Sequence, residues 1–70
     1  MTSEQFAELQ NSLETMLNNI STGDDISEPL LQISQLAKRV ESTAPKQLIH
    51  YLERKSYTKA LDYLRELNGS

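Results

Sequence analysis

Apolar residues recur along this chain at three- and four-residue spacings, in four blocks separated by short polar breaks. That period gathers them on one side of an α-helix, whereas a half-buried strand would alternate with a period of two. The first block holds Phe6, Leu9, Leu13, Met16, Leu17 and Ile20 in a narrow stripe. Thr2 stands where it can cap this helix, and Gln5 three residues on completes a weak capping box. Asn11, Asn18 and Asn19 lower helix propensity, so fraying is expected near residues 18–20. The second block is Leu30, Ile33, Leu36, Ala37 and Val40. Before it, Gly23 suits a left-handed helix end. Asp25 with Glu28 reads as another capping box, and Pro29 suits a first turn. Leu31 points away from the buried face, so a second layer covers it or it belongs to an interface.

The third and fourth blocks are Leu48, Tyr51, Leu52 with the stem of Lys55, and Tyr57, Ala60, Leu61, Leu64, Leu67. They do not run in phase, because the polar run 53–56 sits between them. A helical hairpin with Ser56 as N-cap is the first choice, and one kinked helix is the alternative. Ser42 or Thr43 can cap the third helix and Pro45 can start it. Asn68, Gly69 and Ser70 give a helix-ending signal. The pattern predicts an all-α fold, a small four-helix bundle built from two helical hairpins. Its helices are placed near 3–20, 27–41, 45–54 and 57–67, in a single domain over 1–70.

Length changes the picture in one respect. Seventy residues bury only a modest core, so pairing with something would add stability. The chain has no cysteine and one histidine. That leaves no disulfide or thiolate site, and a transition-metal site would need carboxylates for the rest. No metal and no cofactor are expected. The first ten residues are acidic and lack the apolar core of a signal peptide. No apolar run approaches the roughly 20 residues that span a bilayer. A cytoplasmic protein without membrane contact is therefore expected.

Charge is divided unequally. Residues 1–37 hold six acids and no base, while residues 38–70 hold seven bases and four acids. Lys46, His50 and Arg54, at i, i+4 and i+8, form one ridge opposite Leu48 and Leu52. Lys55 and Lys59 lie near the turn. Such a ridge binds an acidic partner or phosphates, or is simply solvated. The five residues are the candidate partner-binding set. The spacing 6, 9, 13, 16, 20 also follows a heptad seam, which makes Phe6, Leu9, Leu13, Met16 and Leu17 a candidate homodimer surface. The plainer reading of that stripe is one amphipathic helix on a bundle core.

Residues 50–64, HYLERKSYTKALDYL, resemble the middle of a tetratricopeptide repeat. Tyr51, Tyr57, Lys59, Ala60, Leu61 and Tyr63 stand where that family favours such residues. The chain departs from it at Lys55, where the family turn prefers glycine, and at Leu48, where a small residue belongs. It carries no second copy, so membership is not assigned. The resemblance implies a packed antiparallel hairpin of a type used for protein contacts. A DNA-reading helix-turn-helix fits less well: Arg54, Lys55 and Ser56 contain no glycine, and Asp62 and Glu66 would face phosphates.

Enzyme chemistry finds no support. The ridge neighbours of His50 are Lys46 and Arg54, not a carboxylate to orient it. There is no glycine-rich phosphate loop, nucleophile motif or metal spacing. The expected function is therefore a small non-catalytic helical protein-interaction module, an adaptor or regulator, with an unidentified protein partner and a homodimer through helix 1. The alternative is a nucleic-acid-associated regulator using the basic half, although nucleic acid is the less favoured partner.

Overall fold

The computed structural model describes residues 1–69, with side chains through Leu67. Four helices account for 79% of the chain, and no strand forms among the described residues. Helix α1 spans Ser3–Thr22, α2 Ser27–Val40, α3 Lys46–Glu53 and α4 Tyr57–Gly69. The helix-ending signal at Asn68, Gly69 and Ser70 cannot be followed to its end, since Ser70 lies outside the described residues.

The start of α1 forms as its sequence directs. Thr2 Oγ1 accepts the Gln5 amide at 3.1 Å, and Gln5 Oε1 accepts the Thr2 amide at 3.0 Å. The end of α1 does not fray near residues 18–20. Asn19, read as a weak point, anchors the terminus instead. Its carbonyl accepts the amides of Gly23 and Asp24, and its side-chain amide donates to the Asp25 carbonyl at 3.1 Å. Gly23, at φ 81°, makes this closure possible.

The boundaries of α2 and α3 correct three expected caps. Asp25 makes no capping box with Glu28. It sits one residue too early, because the half-buried Ile26 takes the N-cap position and packs against the core. Asp25 Oδ1 instead accepts the Ser27 amide at 3.0 Å and the Ser27 hydroxyl at 2.8 Å. The Ser27 backbone bond, then its hydroxyl bond, hold this carboxyl below its usual range. Neither Ser42 nor Thr43 caps α3, since Thr43 Oγ1 donates back to the Val40 carbonyl at 3.4 Å. Pro45 is the extended residue before α3, at φ −57° and ψ 139°, rather than its first helical residue.

The hairpin, not the kinked helix, joins α3 to α4. The Ser56 amide reaches back to the Tyr51 carbonyl at 2.8 Å and the Lys55 amide to the Leu52 carbonyl at 3.1 Å. This is a Schellman closure, and it places Lys55 in the left-handed region at φ 59°. A side chain there costs about 1–2 kcal/mol of local strain. Glycine removes the strain but gives up entropy in the unfolded chain. Lys55→Gly should therefore raise stability by about 0.5–1 kcal/mol. Gly23→Ala, where a Cβ would meet nothing within 4 Å, should lower it by about 1 kcal/mol for the backbone reason alone. Urea midpoints measure both. A lower midpoint for Lys55→Gly would show that this turn is not left-handed in solution.

Helix α1 packs on α2 and on α4, and α4 packs on α3. The core takes Leu9, Leu13 and Met16 from α1, Ile33 and Leu36 from α2, Leu48 and Leu52 from α3, and Ala60, Leu61 and Leu64 from α4. Ala60 has no exposed surface. Among the described side chains, the one ion pair joins Arg65 of α4 to Glu14 of α1 at 3.8 Å. It links the basic half to the acidic half, but both groups are largely exposed, so it is worth at most about 1 kcal/mol. Among the described residues, no helix is long and apolar enough to cross a membrane.

Candidate interaction surfaces

The basic ridge is built by the short α3. Leu48 and Leu52 turn inward, and Tyr51 is half-buried against the core. With that side fixed, Lys46, His50 and Arg54 must face outward, and all three are exposed. The ridge runs for about 12 Å at the helical rise. Lys55 and Lys59 are exposed as well, one in the left-handed turn and one in the first turn of α4. None of the five enters an ion pair among the described residues. The ridge therefore spans the length of α3, with Lys59 beyond the turn, while Lys55, read as a stem on the α3 face, lies past the end of that helix.

Aromatic rings border the ridge. The Tyr51 ring lies 6.2 Å from that of His50, and Tyr63 meets Tyr51 edge-on, also at 6.2 Å. The second contact ties α3 to α4 and gives the pair its tyrosine edge. Across α4, Asp62 and Glu66 are exposed. The helix that follows the ridge thus carries exposed negative side chains.

The packing places most of the helix-1 stripe inside the chain. Leu9 and Leu13 are fully buried and Met16 is 1% exposed, in the core where α1 packs on α2 and α4. Phe6 and Leu17 are half-buried against the same core. A 70-residue bundle has no second layer, so its longest helix must supply the interior itself. The centre of the stripe, Leu9, Leu13 and Met16, is thus core, while Ile20 at its end is exposed.

Two surface concavities were not legible beforehand. One lies between α1 and α2, about 390 Å³, lined by polar residues that include Glu8, Gln32, Gln35 and Arg39. At its base the buried Ser12 donates to Gln32 Oε1 at 3.2 Å. The other lies between α2 and α3, about 330 Å³, and is more apolar. Its lining includes Ile33, Ala37, Ile49, Leu52 and Tyr57, with Ser34, Lys38, Glu41 and Glu53 around them. Ile49 carried no role in the sequence pattern. The signal available was its place beside Leu48, which widens the apolar arc of α3 toward α2.

Among the described residues, no group of three His, Cys, Asp or Glu side chains is arranged to hold a metal ion. His50 is exposed and has the Tyr51 ring as its neighbour. No protein-family model matches this chain, and no curated protein or solved structure is significantly similar to it.

Proposed function

We propose that this chain is a non-catalytic helical interaction module, acting in the cytoplasm, that binds an acidic segment of another protein through the α3 ridge. The observation that carries the reading is the exposure of Lys46, His50, Arg54, Lys55 and Lys59 without an ion pair among the described residues. Charges of one sign held on a helical hairpin attract an opposite partner and steer its approach. An acidic protein segment fits better than duplex DNA for two reasons. The exposed Asp62 and Glu66 of α4 repel a long polyanion, and the whole chain carries a net charge of −3.

The test uses an oligoglutamate peptide and a random-sequence DNA duplex as probes, with amide chemical shifts as the readout. The peptide should shift resonances of α3 and of the turn at 54–56, more strongly at low salt. Replacing both Lys46 and Arg54 by glutamate should weaken binding on the order of tenfold, or about 1.4 kcal/mol. Both side chains are exposed, so the fold should survive. DNA binding tighter than peptide binding, with a steep salt dependence, would replace this reading by the nucleic-acid one. No ridge shift with either probe would end it.

A further inference from the structure

Among the described residues, Lys55 is the one side chain carried at a positive φ, 59°. Glycine sits there freely, and other residues do so at a steric cost. The turn cannot relax by a small local movement, because it is pinned to the core side. The Lys55 amide donates to the Leu52 carbonyl and the Ser56 amide to the Tyr51 carbonyl. Leu52 is buried and Tyr51 is half-buried against the core. No contact of the lysine side chain offsets the cost. Lys55 is exposed, and its side chain enters no hydrogen bond or ion pair among the described residues. A strained residue whose side chain is idle in the monomer points to a use outside it.

Charge points to the same place. Residues 54–59, RKSYTK, hold Arg54, Lys55 and Lys59 and no acid, a local charge of +3. Residues 41–53 hold Glu41, Lys46 and Glu53, a local charge of −1 with His50 neutral. Arg54 is the C-cap of α3 and Lys59 lies in the first turn of α4, so the turn gathers cations from the ends of two helices with Lys55 between them. Lys46 lies about 12 Å from Arg54, at the other end of α3. Glu41 and Glu53 line the groove between α2 and α3.

We infer that the acidic segment docks across the α3–α4 turn with Lys55 as its central contact, rather than along the length of α3. This rests on the proposed binding of an acidic segment and specifies its chemistry. The segment carries a short cluster of adjacent carboxylates, not acids spread at helical spacing to match Lys46, His50 and Arg54. The pinned turn holds the Lys55 backbone in place before the partner arrives, so binding has only the side chain to order. Lys55 thus trades stability of the free chain for contact with the partner.

Two glutamate peptides of equal charge test it, one with the glutamates consecutive and one with them four residues apart, and amide chemical shifts read the affinity. The clustered peptide should bind more tightly. Lys55→Asn removes the charge from a residue type that accepts the left-handed conformation. It should weaken the clustered peptide by about threefold to fivefold, the upper range for an exposed ion pair, and Lys46→Gln by less than about twofold. Lys55→Gly should weaken binding as much as Lys55→Asn while raising the urea midpoint, an opposed pair of changes that damage to the fold does not produce. Lys55 variants that bind like the parent, with Lys46→Gln weakening the complex, place the segment along α3 and overturn this inference while the proposed function stands. Tighter binding of the spaced peptide does the same. If neither peptide shifts the ridge or the turn, the proposed function ends and this inference with it.

Discussion

Leu64→Ala should lower the unfolding free energy by about 2–5 kcal/mol, the range for emptying a fully buried leucine site. Leu64 has no exposed surface. It sits on α4, which packs against both α1 and α3, so the space it leaves is bounded by several helices. Surrounding side chains can relax into such a space only partly, and the lost contacts add to the lost transfer energy. At the usual 0.05–0.15 kcal/mol per residue, a chain of this length has roughly 4–10 kcal/mol in total. A single methylene-rich side chain therefore carries a large part of it. The measurement is urea denaturation followed by far-ultraviolet circular dichroism. The midpoint should fall steeply while the slope stays constant, since the area exposed on unfolding barely changes. An unchanged midpoint would remove Leu64 from the core.

Leu13→Glu should be more severe and should unfold the chain at neutral pH. Leu13 is also fully buried, with Leu9 and Met16 around it on α1. The substitution removes an apolar side chain and places a carboxyl where no cation waits. Burial disfavours the charged form, so the new carboxyl is pushed above its unfolded value near 4.3. The penalty is therefore full above the raised folded value, shrinks as pH falls toward the unfolded one, and is gone below it. Together the two costs exceed about 5 kcal/mol, comparable to the whole stability of the domain. Helical signal at 222 nm should be lost at pH 7 and partly regained near pH 4. The contrast with Leu31→Glu is the informative one: the same chemical change eighteen positions along should leave the monomer folded. A folded, monomeric Leu13→Glu chain at pH 7 would mean that the α1 stripe faces solvent.

Most of the fold was readable because helix formation here is local. The i, i+3, i+4 rows of apolar residues, Gly23, and the Thr2–Gln5 pair each act within one turn of themselves. Expected and observed helices agree within about two residues at every end, the usual precision of such boundaries. The misses are local too, but their causes are not. Asp25 would cap α2 if Ile26 were free to sit elsewhere, and it is the core that holds Ile26. Asn19 would fray in an isolated helix, but here Gly23, Asp24 and Asp25 fold back onto it.

The candidate surfaces divide along the same line. Exposure of Lys46, His50 and Arg54 could be read from the chain, because α3 has one apolar side and they lie opposite it. The fate of the α1 stripe could not, because a narrow apolar row looks the same whether it meets another copy or the chain's own interior. What distinguishes the two is how many other helices need that row to complete their burial, and here both α2 and α4 pack on it. The sequence by itself determined four amphipathic helices, their order, and a positive end on a negative chain, through spacing and charge acting over one or two turns. The tertiary structure alone decided which stripe became core and that α2 and α3 leave a groove between them. It also left Leu31 and Ser34 exposed, since those outcomes depend on how helices distant in sequence share one small interior.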